Sequence, residues 1–188
     1  MPPAAPGSAP ERSNMKTLLA LLLFASPAFA QKPASAAAAR FACGPANVKF
    51  DATAGQTLQS LQQPDPGKAL VYVVESFEKI PNELGNPTIK VGLNGAWMGA
   101  MREKTFISFP VTPGEQHLCV NWQSVWGRFS NMYALQGFTA EAGKSYFFKA
   151  RITEDDNVFR LRLVPLDDGD ESRFLVTSAP VSVFHVHE

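Results

Sequence analysis

From Cys43 to the C-terminus the sequence is a succession of short apolar runs, each cut off by Gly, Pro or Asn. Short runs separated by turn residues at close intervals are the pattern of an all-β sandwich or barrel. Asn47 to Asp51 reads as a first strand, and Leu58 to Lys68, with Pro64-Asp65-Pro66-Gly67, as a loop. Ala69 to Phe77 is almost continuously apolar and β-branched, which predicts a central strand covered on both faces. Pro81 to Pro87 reads as a loop. Thr88 to Leu93 and Ala96 to Met101 flank Asn94-Gly95, the strongest short hairpin signal. Lys104 to Val111 and Glu115 to Gln123 are strands around the tight turn Pro113-Gly114. Met132 to Thr139 reads as a further strand, the alternative being a short helix. Lys144 to Ile152 and Asn157 to Val164 form a second hairpin around Asp155-Asp156. Asp168 to Thr177 predicts one short C-terminal helix, with acidic residues at its start, where the helix dipole favours them. Val181 to Glu188 alternates as an edge strand does.

Alternation also places the two cysteines. In Glu115 to Gln123, Leu118, Val120 and Trp122 share one face and belong to the core. His117, Cys119 and Asn121 share the other, where an N-terminal segment carrying Cys43 can cross. An even cysteine count in an exported protein predicts a Cys43–Cys119 disulfide, the alternative being two buried free thiols. Closing so long a loop stabilises by about 4 kcal/mol in the chain-entropy model.

Export itself is read from residues 1–30. Met15-Lys16-Thr17 is a basic start, Leu18 to Ala25 an apolar run, and Ala28-Phe29-Ala30 a small-residue cleavage site. The run is shorter than the roughly 20 residues that span a bilayer. The expectation is a cleavable signal peptide starting at Met15, behind a Pro- and Ala-rich extension. Residues 31–42 then form a flexible lead-in, and 43–188 a single domain in the periplasm or outside the cell. No Cys follows the apolar run directly, which argues against a lipid anchor. No later segment is long enough to span a membrane after cleavage.

The full chain has 17 basic and 17 acidic residues. Cleavage after Ala30 removes Arg12, Lys16 and Glu11, leaving 15 and 16. Near-zero charge argues against a nucleic-acid partner. The sequence holds no G-x-S-x-G, H-E-x-x-H, phosphate-cradling loop or Cys-x-x-Cys motif. It therefore predicts no catalytic residues and no cofactor. His185 and His187 are the weak metal candidates: two apart on a strand, they share a face, against the reading of a solvated tail. In the second hairpin Lys149, Arg151, Arg160 and Arg162 all point away from the apolar set. With the turn centred on Asp155-Asp156, Arg151 faces Arg160 and Lys149 faces Arg162. Like charges directly opposite are destabilising, so local carboxylates, solvent, or an anionic ligand such as a polysaccharide or lipid headgroup compensates. Trp126, in a loop-like stretch, is the candidate aromatic platform for a sugar, whereas Trp122 is better placed in the core.

Gly67-Lys68-Ala69-Leu70-Val71-Tyr72-Val73, Lys90 to Gly95, Pro113 to Cys119 and Phe138 to Tyr146 together resemble the bacterial domain-of-unknown-function family 2846. They are also similar to PEGA-like β domains, in which a strand, an Asn-Gly hairpin and a Pro-Gly-x-His-type turn recur. The resemblance covers about residues 67–177. It implies an antiparallel β-sandwich, Ig-like or PEGA-like, in exported proteins and lipoproteins, and carries over no catalytic residue. The expected protein is a non-catalytic binding or structural component of the bacterial cell envelope. Its partner is an envelope protein or glycan. The alternative is a periplasmic hydrolase or metal-binding protein whose site the sequence does not reveal.

Overall fold

The structure is a computed structural model that describes residues 41–77, 87–123, 132–155 and 158–187, together with Met1 and Ala38. The signal-peptide reading, the loop at Pro81 to Pro87 and Trp126 fall largely or wholly outside the described residues. Chain order is β1 (Lys49–Thr57), β2 (Ala69–Glu75), β3 (Thr88–Leu93), β4 (Ala96–Met101), β5 (Phe106–Val111), β6 (Gly114–Gln123), β7 (Tyr133–Ala140), β8 (Ser145–Asp155), β9 (Val158–Leu166), α1 (Asp170–Ser178) and β10 (Pro180–His187). A six-stranded sheet ordered β1-β10-β5-β2-β8-β9 packs on a four-stranded sheet ordered β4-β3-β6-β7. The all-β sandwich expected from the turn spacing is the architecture.

β2 shows why the sheets stack. Every one of its residues is buried, and its alternation feeds two cores. Val71 and Val73 enter the core between the sheets, with Ile89, Val91, Leu118, Val120, Trp122, Phe148 and Leu163. Leu70, Tyr72 and Val74 enter a smaller core on the outer face, beneath Val176 and Ala179 at the α1 end. Burying each such side chain contributes about 1.5–3 kcal/mol. Tyr72 stacks on Phe147, with centroids 5.1 Å apart, and its hydroxyl accepts from the Gln62 N–H at 3.0 Å. α1 lies where its acidic start predicted it, with Ser172 and Val176 turned inward.

The pairing is not purely antiparallel, as the sequence reading had it. β2 pairs with β8 in parallel, and β10 pairs with β5 in parallel at Val181 and Phe106. Parallel neighbours need a long crossover, and here the small sheet is built between β2 and β8. β10 is also not an edge strand. It runs antiparallel to β1 from Lys49↔His187 to Thr57↔Pro180, so β1 takes the edge. The strand β1 is longer than its sequence signal, and that extra length is what covers β10.

The β3–β4 hairpin matches its signal. Asn94 and Gly95 have φ of 50° and 87°, the doubly positive turn that Asn-Gly suits. Asn94 also ties the turn to β6: its Nδ2 donates to Gln116 Oε1 and its Oδ1 accepts from the His117 N–H, both at 2.8 Å. The β1–β10 ribbon closes the β4 side. Ser182 Oγ donates to the Ala100 carbonyl at 2.7 Å, and the Gln123 amide brackets the Phe50 backbone through two 2.8 Å bonds.

Residues 41–48 cross the outer face of the small sheet as a strap, pinned by the Cys43–Cys119 disulfide. Cys119 faces opposite Leu118, Val120 and Trp122, as alternation required, and packs with Ala42, Cys43, Trp97 and Leu135. Ala42, assigned by sequence to the lead-in, is buried there. The strap's carbonyls are taken up by the sheet: Trp97 Nε1 donates to the Pro45 carbonyl at 2.8 Å and the Gly95 N–H to the Ala42 carbonyl at 3.1 Å. Gly92 permits the approach, because a Cβ there would meet the Ala42 oxygen and Cys43 Cα at 3.0 Å.

Candidate functional site

The β8–β9 hairpin is long and two-faced. Phe148, Ala150, Leu161 and Leu163 turn into the main core. Lys149, Arg151, Arg160 and Arg162 alternate with them and therefore lie on the outer face of the large sheet. The register differs from the sequence expectation. Arg151 stands opposite Arg162, Lys149 opposite Val164 and Arg160 opposite Thr153, with Asp155 facing Val158. The expected turn centre was one residue too early. A register slip of two residues leaves every side chain on its predicted face, so the basic surface survives the correction.

This register brings two guanidiniums into one cross-strand pair. Arg151 and Arg160 are exposed, and Lys149 and Arg162 are half-buried. Arg160 and Arg162 each interact with a neighbouring group, while Lys149 and Arg151 make no ion pair among the described residues. Arg side chains present a planar fork that suits carboxylate, sulfate or phosphate oxygens. The hairpin thus sets four cations along one outer face, with Arg160 and Arg162 engaged by neighbouring groups.

The two histidines do not lie in a loose tail. β10 holds them beside Asp51 of β1: His187 Nδ1 is 3.0 Å and His185 Nε2 3.6 Å from Asp51 Oδ2. Asp51 is the neighbour that sequence reasoning missed, and only the β1–β10 register reveals it. Among the described residues no group of His, Cys, Asp and Glu is arranged to hold a metal ion. Trp122 is in the core as expected, and Trp97 supports the strap.

Two buried charges also escaped the sequence reading. Lys90 is 4 % exposed; its Nζ donates to the Val48 carbonyl at 3.0 Å and sits 4.4 Å from the Trp97 ring centre. Burial holds its pKa below the ordinary lysine value. Glu75 ends β2 inside the sandwich, and burial pushes its pKa up to about 8. Both sit inside runs that read as strand, where nothing marks a lone charge as buried.

Comparison with known proteins returned no match: no family model, curated protein or solved structure is similar to this chain. Among the described residues no helix is long and apolar enough to cross a membrane.

Proposed function

We propose that this chain is a non-catalytic binding module of the bacterial cell envelope, working in the periplasm or outside the cell, and that the outer face of β8–β9 holds an anionic glycan. The observation that carries this reading is the Arg151–Arg162 cross-strand pair flanked by Lys149 and Arg160. Like charges directly opposite cost stability, and although Arg162 also engages a neighbouring group, an anion lying across the pair offsets the repulsion between the two guanidiniums. Placement in the envelope is supported by the leader pattern at Met15 to Ala30, by the disulfide, and by the resemblance of residues 67–177 to an exported family.

The test replaces all four cations with Ser and titrates full-length protein with a polyuronate and with a neutral glucan. The wild type binds the polyuronate alone, and the variant binds it at least tenfold more weakly. Equal binding by wild type and variant, or no binding by the wild type to any acidic polysaccharide tried, removes the proposal.

A further inference from the structure

Glu75 has no evident structural reason to be an acid. It is 1 % exposed, and among the described residues neither carboxyl oxygen has a hydrogen-bond partner. Buried polar groups are almost always paired, and an unpaired one calls for an explanation. Its neighbours supply one. The crossover Arg102-Glu103-Lys104-Thr105, which carries the chain from β4 to β5, lies against it. The Glu75 N–H donates to the Thr105 carbonyl at 2.9 Å, and the Arg102 N–H to Thr105 Oγ1 at 3.1 Å.

The crossover is strained. Glu103 and Lys104 have φ of 63° and 61°, two consecutive non-glycine residues in the left-handed region. Such residues enter that region singly when they enter it at all. Among the described residues the buried Arg102 Nε has no hydrogen-bond partner and lies 3.9 Å from Glu103 Oε1. Strain and unpaired polar atoms thus meet at one point. Among the described residues, the charges acting on Glu75 lie in this crossover: Glu103 opposes its ionisation, while Arg102 and Lys104 favour it. The Lys104 backbone N–H faces the carboxyl and favours its ionised form. On β8, Ala150 stands opposite Glu75.

We infer that the β4–β5 crossover is a proton-operated clasp, closed over neutral Glu75 and released when that carboxyl ionises toward Arg102. The device is independent of the glycan reading. Its pH window follows from linkage. In the closed state the carboxyl keeps its proton up to about pH 8, whereas an opened, hydrated glutamate loses it in the usual range, near 4.5. Opening is therefore favoured progressively as pH rises between those limits. It levels off above about 8, where the closed state ionises too.

Amide hydrogen exchange across pH 5 to 9 reads this directly once intrinsic exchange rates are divided out. The opening constant at the residue 75 and Arg102 amides rises by close to tenfold per pH unit in mid-window, and about 400-fold from pH 5 to 8. Glu75→Gln flattens that slope. Glu75→Met provides the same control should the Gln variant not fold. The Val91 and Val120 amides, in mid-strand of β3 and β6, report global unfolding and stay far more protected. A flat wild-type profile, a slope that persists in both variants, or equal opening at Val91 and Val120 each overturns the clasp.

Discussion

Breaking the Cys43–Cys119 bridge probes the strap and the covalent link separately. The two cysteines are 76 residues apart. Loop-closure entropy for that span gives about 4.5 kcal/mol at 25 °C. Reducing the wild type removes this contribution and keeps both sulfurs in place. The double variant Cys43→Ala/Cys119→Ala also leaves a small void at buried Cys119, adding about 1 kcal/mol. With a urea slope near 2 kcal/mol/M for a domain of this size, the reduced protein should unfold at about 2 M less urea. The double variant should unfold slightly earlier still. Trp97 is a convenient reporter, because it packs directly against the bridge. A midpoint shift below about 0.5 M on reduction would refute the argument. It would mean that the strap is held by its hydrogen bonds alone, or that the unfolded chain stays compact enough to cancel the entropy.

Two further outcomes follow from close contacts. Gly92→Ala forces a methyl group against the Ala42 oxygen and Cys43 Cα, and costs about 1–3 kcal/mol in the oxidised protein. After reduction, when the strap can lift, the same substitution costs much less in paired urea titrations; an equal cost in both states contradicts the placement of the strap. Tyr72→Phe keeps the stack on Phe147 but leaves the Gln62 N–H without its acceptor. It lowers the unfolding free energy by about 1–2 kcal/mol, and a loss under 0.3 kcal/mol shows that water replaces the hydroxyl freely.

What could be read beforehand was local. Asn94-Gly95 announces its hairpin because few other residues adopt two positive φ values in succession. Cys119 could be assigned to the outer face because Leu118, Val120 and Trp122 fix the inner one. The basic face of β8–β9 was legible for the same reason, and it survived an error in register because strand alternation has period two. Non-local pairing was not legible. Nothing in Val181 to His187 says that Lys49 to Thr57 will cover it, and nothing in β2 says that its partner β8 runs parallel. Asp51 meets His185 and His187 only through that pairing. Glu75 was hidden differently. It follows Val73 and Val74, where a charge ordinarily marks the solvated end of a strand, and only the path of the Arg102 to Thr105 crossover buries it.

The central claim is that one face of one hairpin meets an anionic partner, and backbone amide shifts map that face directly. Isotopically labelled full-length protein is titrated with an acidic oligosaccharide at moderate salt. Shifts confined to residues 147–153 and 160–166, and abolished by Arg151→Ser/Arg162→Ser, are the predicted result. Shifts centred on the strap, on β10 or on α1, or a spectrum that does not change at saturating ligand, would contradict it.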